Sequence, residues 1–153
     1  MQKVLDSADR RILREMQRDS SRSVAQLAEA VGLSHAPCWR RLQRLRADGF
    51  IVRESAILER SKLGWEVELF VSIKVSPIGR ANIEEFRRSM MLHNRVIGYY
   101  IVLGNVDAMF HIVARNLADY NQFYLEHLAA SPYISEISTM TILSQLKDTD
   151  IPV

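Results

Sequence analysis

Ser34-His35-Ala36-Pro37-Cys38-Trp39-Arg40-Arg41-Leu42-Gln43-Arg44-Leu45-Arg46 reads as one amphipathic helix. At about 100° per residue, Cys38, Leu42 and Leu45 fall in one narrow sector, which must be the buried face. The opposite sector carries Ala36, Pro37, Arg40, Gln43 and Arg44, with Arg41 on one flank and Trp39 and Arg46 on the other. Four arginines thus precede the first acid, Asp48. Arginine suits bidentate contacts to phosphate or guanine. The opening turn, Ser34, His35 and Ala36 through to Arg40, is the part that would reach base edges in a major groove, with Arg41, Gln43 and Arg44 behind it. His35 either contacts a base or extends the cap into water. Trp39 reads as packing on a neighbouring helix, and Cys38 as a small core residue.

Working toward the amino terminus, the context supports that reading. Ser23-Val24-Ala25-Gln26 is a capping box opening a second helix, whose inward residues are Leu27, Ala28 and Val31. Gly32 supplies a left-handed stop, and Ser34 a new N-cap, so two short helices meet at a tight turn. A first helix starts near Asp6, with Asp9 in its first turn and an apolar stripe of Ile12, Leu13 and Met16. Toward the carboxyl terminus, Gly49 stops the arginine helix. Residues 51–58 alternate loosely and predict a short strand, followed by a connection through Gly64.

From Val67 the period changes to two. Val67, Leu69, Val71, Ile73 and Val75 alternate with Glu68, Phe70, Ser72 and Lys74, until Pro77 and Gly79 break the strand. A helix with Ile83, Phe86 and Met90 on one face follows. Strands are expected over 96–103 and 107–115 around a Gly104-Asn105-Val106 turn, then a helix capped by Asn116, then a strand over 134–146. The order β-α-β-β-α-β is a ferredoxin-like unit, so the fold class is α+β. The expected division is residues 1–60 for nucleic acid and 61–153 for a second role. Simple alternation places Val96 with Tyr100 and Val102, and Ile97 with Tyr99, Ile101 and Leu103, giving a second strand apolar on both faces. In so small a unit the second face needs another subunit, so an oligomer is expected.

The 153 residues are 48% hydrophobic and 25% charged, values of a folded chain and not of a disordered tail. No run approaches ~20 apolar residues, so no membrane span is expected. The opening residues lack a secretory pattern, and the single cysteine fits a reducing cytoplasm. Net charge is +2, but residues 1–60 hold twelve Lys and Arg against eight acids, and the remainder eight against ten. The basic end is the one with the arginine helix.

No catalytic constellation emerges. His35, His93, His111 and His127 are scattered, no metal-ligand spacing joins them to Cys38, and no phosphate-cradling glycine loop exists, so neither enzyme nor cofactor nor metal is expected. One polar cluster stands out, Gly104-Asn105-Val106-Asp107 with Thr139 and Thr141. Asp107 there either holds the ammonium of a small ligand or satisfies turn backbone.

Taken in order, Leu5-Asp6-Ser7-Ala8-Asp9-Arg10-Arg11-Ile12-Leu13, Leu27-Ala28-Glu29-Ala30-Val31-Gly32-Leu33-Ser34 and Pro37-Cys38-Trp39-Arg40-Arg41-Leu42 carry a resemblance, with Lys62-Leu63-Gly64, the 104–107 turn and Leu146-Lys147. The chain resembles, over essentially its full length, the Lrp/AsnC (leucine-responsive/asparagine regulator, feast/famine) transcription factors. The resemblance implies a winged helix-turn-helix joined to a ferredoxin-like effector domain, dimers that assemble further to octamers, binding to double-stranded DNA, and response to an amino acid. It also implies an effector site near the turn between the second and third strands, at contacts between dimers, which carries over to Gly104, Asp107 and Thr139, with Asn105 a further candidate contact in the same turn. The family's turn usually reads Gly-Asp-Tyr-Asp, where this chain has Asn105 and Val106, and Glu54 stands where Tyr is common. Two other readings share the architecture: a tetrapyrrole decarboxylase-like enzyme, which would need a basic, His-rich pocket, and a metabolite-sensing module acting through protein partners. An RNA-binding sheet would need a basic, aromatic-rich third strand, and residues 107–115 do not supply one.

Overall fold

The computed structural model describes residues 4–76, 79–146 and 151–153, so Pro77 and Lys147 lie outside the described residues. The chain forms two compact units, Met1–Ile57 with Leu146–Val153, and Leu58–Gln145.

The first unit is three helices: α1 (Ser7–Arg18), α2 (Val24–Val31) and α3 (His35–Ala47). Asp6 caps α1 in a capping box completed by Asp9, and Ser23 caps α2 with Gln26 in the same way. Both caps satisfy backbone N–H groups that a helix start leaves without partners. Gly32 ends α2 at φ 68°, and only two residues pass before α3. Ser34 sits at the N-cap of α3 but its side chain makes no capping bond, contrary to expectation. The core joins Ile12, Leu13 and Met16 of α1 to Leu27, Ala28 and Val31 of α2 and to Cys38, Leu42 and Leu45 of α3. The last residues return to α1: Arg14 Nε and Nη2 donate to the Val153 oxygen at 3.1 and 2.8 Å, and Gln17 exchanges two hydrogen bonds with the Ile151 backbone.

The short strand expected over 51–58 does not form; the segment is without strand structure. A strand needs a neighbour for its N–H and C=O groups, and among the described residues none runs beside it. Val52 and Ile57 stand 90% and 95% exposed.

The second unit is β1 (Val67–Val75), α4 (Gly79–Leu92), β2 (Val96–Ile101), β3 (Ala108–Ala114), α5 (Leu117–Phe123) with a π-helical extension Tyr124–Ala129, and β4 (Ile134–Thr141). The strands pair antiparallel in the order β2-β3-β1-β4, the ferredoxin-like arrangement. Leu69, Val71 and Ile73 of β1 and Phe110 and Ile112 of β3 pack under Phe86, Met90, Phe123 and Leu128 of the helical layer. Asn116 caps α5 through the Asp119 N–H, as its sequence position suggested. β4 stops at Thr141 and not near Leu146, because Ile142 N–H to Glu68 C=O is the last bond that β1 offers.

Simple alternation fails in β2. The register shifts between Val96, opposite Ile112, and Gly98, opposite His111. Ile97 is the extra residue of this bulge. Val96 therefore joins Tyr99 against the helical layer, and Tyr100 faces the open side with Gly98. The open side carries Phe70, Met109, Val113, Tyr100 and Met140 together with Glu68, Ser72, His111 and Ser138, so it is mixed and not the uniformly apolar face expected, and its β2 residues are a different set.

Candidate functional site

The exposed side of α3 presents Ser34, His35, Ala36, Trp39, Arg40, Arg44 and Arg46 to solvent, with Arg41 and Gln43 half-buried, while Cys38, Leu42 and Leu45 are 0–2% exposed beneath. Burial raises the Cys38 thiol above its ordinary range, which suits an inert core residue. Trp39 is 49% exposed and does not pack away as expected, because the seam beneath it is already filled by Cys38 and Leu42.

The four arginines are not equivalent. Arg41 Nη1 donates to Asp6 Oδ2 at 2.6 Å and Asp9 Oδ1 at 2.9 Å, and Arg44 Nη2 donates to Asp9 Oδ2 at 2.5 Å. Arg46 grips Glu54 Oε1 through Nε and Nη2 at 3.1 and 2.7 Å. Arg40 makes no ion pair among the described residues. Sequence reading counted acids along α3 alone and so missed Asp6, Asp9 and Glu54, which reach the helix from outside it. Their signal was present in part, since Asp6 and Asp9 stand three apart as a capping pair.

Asp9 is the centre of this network. It is 1% exposed, and a carboxylate so placed must be paired on both oxygens. Arg41, Arg44 and the Asp6 N–H at 3.2 Å meet that need. Its partner Asp6 has its pKa lowered from 3.8 to about 2, first by the Asp9 backbone N–H and then by Arg41. Arg41 is pushed up in turn by the two carboxylates. Pro37, Arg40, Arg41 and Arg44 line a shallow cleft of about 310 Å³ on this flank.

The turn cluster of the second unit is differently built. Asp107 N donates to Ile73 O at 2.9 Å, and its Oδ2 accepts the Val75 N–H at 2.8 Å. Gly104 and Asn105 are exposed beside it. Thr139 pairs with Val71 on the far side of β1 and accepts or donates a 2.6 Å hydrogen bond with the Tyr120 hydroxyl. Strand spacing and rise put it about 14 Å from Asp107, so a single chain does not bring the two together.

Elsewhere on the sheet, Glu68 binds both Arg60 and His111 Nε2, the latter at 2.5 Å, and Phe70 stacks on His111. His93 and His127 lie edge to face 4.9 Å apart, and burial with the neighbouring His127 lowers the His93 pKa. Among the described residues no group of three or more His, Cys, Asp or Glu is placed to hold a metal, and no helix is long and apolar enough to cross a membrane.

Comparison with known proteins places these two units. Residues 5–46 match the AsnC-type helix-turn-helix domain, and residues 68–152 the Lrp/AsnC ligand binding domain. The chain is 33% identical to the transcriptional regulator AzlB of Bacillus subtilis, over 98% of this chain and 96% of that one. An AsnC family transcriptional regulator from Agrobacterium tumefaciens superposes with a TM-score of 0.88 at 36% identity, covering 97% of each chain. The regulator NMB0573 of Neisseria meningitidis, solved as an L-Met complex, shares the fold with a TM-score of 0.89 at 23% identity, over 95% of this chain and 94% of that one. An arginine-bearing third helix on a capped three-helix unit, followed by an antiparallel βαββαβ unit, is therefore the architecture of the Lrp/AsnC family of transcriptional regulators, and this chain belongs to it.

Proposed function

We propose that α3 enters the major groove of duplex DNA, with Ser34, His35, Ala36 and Arg40 at base edges and Arg41, Gln43 and Arg44 at the backbone. The observation that carries this is Arg40: an exposed guanidinium that makes no ion pair among the described residues, on the side of α3 opposite the buried seam. Arg44 is half-exposed and keeps Nε and Nη1 outside its bond to Asp9. Two copies would place two such helices in successive grooves, so the site is roughly palindromic. The test is competition binding of genomic fragments against bulk duplex in dilute buffer. A preferred fragment supports the reading, and uniform binding or none overturns it.

The functional boundary lies near residue 60, with residues 1–60 serving DNA and residues 61–153 serving assembly and sensing. Phe70, Met109 and Met140 on the open sheet face favour a second copy against it, a dimer that assembles further, to an octamer by family resemblance, and light scattering measures the size. The chain acts in the cytoplasm as a regulator and not as a catalyst.

The ligand is a small amino acid, the class bound by the Neisseria regulator of the same fold. Asp107 Oδ1 is left for an ammonium group, with Gly104 and Asn105 beside it. Thr139 is too distant to join them within one chain, which supports a site shared between copies. Calorimetric titration of wild type and Asp107→Ala with an amino-acid panel tests this; equal binding by both removes Asp107 from the site.

A further inference from the structure

Asp9 belongs to α1, yet its carboxylate reaches residues 32 and 35 positions later in the chain, on α3. Holding α1 to α3 does not require this. Ile12 and Leu13 already pack with Leu42 and Leu45 in one core, and a buried ion pair is a poor source of stability beside apolar packing. What the carboxylate does is fix two guanidiniums. Arg44 is held by Nη2 alone and remains 50% exposed; Arg41 is held by Nη1 alone and remains 30% exposed. Each therefore has further N–H groups to offer in a direction set by the bond to Asp9.

Two consequences follow for any phosphate approaching this face. First, the rotamer freedom of long side chains is lost before binding, so a phosphate in the right place meets a prepared fork and one in the wrong place does not. Second, Asp6 and Asp9 balance the charge of Arg41 and Arg44, which weakens the undirected pull on every phosphate, the force that dominates non-specific binding. We infer that Asp9 is a positioning residue for DNA recognition, holding Arg41 and Arg44 so that the chain discriminates between a target site and bulk duplex. The inference rests on the DNA-binding reading above.

Asp9→Asn keeps an acceptor for the Asp6 N–H and removes the charge. Binding of the full chain to a preferred fragment and to bulk duplex is followed by fluorescence anisotropy across about 50 to 200 mM salt, well below the unfolding temperature. The expected result is three- to tenfold tighter binding to bulk duplex, a target-to-bulk ratio reduced about tenfold, and a salt slope steeper by about one. A ratio and slope equal to wild type in the folded variant overturn the inference while leaving the DNA reading intact. A purely structural Asp9 would weaken both DNAs in parallel at unchanged slope, and that result also overturns it. Absence of any fragment preference in wild type removes both readings. Should Asp9→Asn not fold, Asp6→Asn takes its place, since its amide oxygen still accepts the Asp9 N–H while the charge and the acceptor opposite Arg41 are lost. Changes in the same directions, about two- to threefold, are expected there, and an unchanged ratio and slope again overturn the inference.

Discussion

The Asp107 carboxylate accepts the Val75 N–H at 2.8 Å, one residue beyond the point where β3 ceases to pair with β1. Ile73 C=O and Val75 N–H both face the β3 side, and Asp107 answers the first with its backbone N–H and the second with its side chain. The Asp107 side chain, expected either to hold a ligand or to satisfy turn backbone, thus bonds the end of β1 through Oδ2, while its C=O accepts the Val102 N–H across the turn at 3.2 Å. Asp107→Ala should lower stability by about 1–3 kcal/mol by leaving the half-buried Val75 N–H without an acceptor. Asp107→Asn should recover most of that in urea denaturation while still lacking the charge an ammonium would need. Equal losses for both variants would show that the bond to Val75 contributes little.

The depressed Asp6 carboxyl makes a statement about pH. Its pKa in the folded chain is about 2 against an ordinary 3.8, so the folded form holds the proton less tightly than the unfolded one. Stability from this group is fully present above the ordinary value and is lost as pH falls through about 2. In Asp6→Asn the deficit relative to wild type should be constant above pH 4 and should shrink toward zero as pH falls to about 2. Urea midpoints of the two proteins across that range provide the measurement, and a deficit that does not change with pH would contradict the assignment.

On α3 the unequal pairing of the arginines predicts unequal effects. Arg40→Ala should relax sequence preference with little change in unfolding temperature, because Arg40 is exposed and makes no ion pair among the described residues. Arg44→Ala should weaken binding to all duplexes, reduce the salt slope by about one, and destabilise the fold as well, since Asp9 loses a partner. Binding isotherms with thermal melts separate the two. If neither substitution alters binding to a preferred fragment, α3 does not dock as proposed.

Gly98 sets up a fourth test. A Cβ there would stand 2.8 Å from the Tyr100 hydroxyl and 3.0 Å from His111 Cβ, because the Tyr100 ring folds back over the glycine. Gly98→Ala should force that ring outward and cost about 1 kcal/mol, at the low end for overpacking because Tyr100 is half-exposed and can yield. Tyrosine fluorescence and urea denaturation would register the movement; unchanged values would mean the ring does not rest there.

Much of this molecule was legible in local patterns. The Ser23–Gln26 capping box, the left-handed Gly32 and the alternation of Val67 to Val75 each depend on residues close in sequence, and each yields the element expected. The difficulties share a different cause. The Asp9 pairings span more than thirty residues, and helix periodicity gives no sign of which acid will come to lie beside which arginine. A strand over 51–58 was legible as a pattern, but pairing requires a neighbour, and none among the described residues supplies it. Thr139 reads as part of one polar cluster with the 104–107 turn by residue type, and the family resemblance repeats that grouping, whereas the strand order sets β1 between them.

Ile97 bears on how the sheet divides its labour. By occupying a place with no counterpart on β3, it hands one aromatic ring, Tyr99, to the interior beside Phe110 and its neighbour, Tyr100, to the outside. If Ile97 were instead paired in regular alternation after Val96, the two rings would exchange destinations. The surface available to another molecule would then be rewritten without changing the identity of any amino acid.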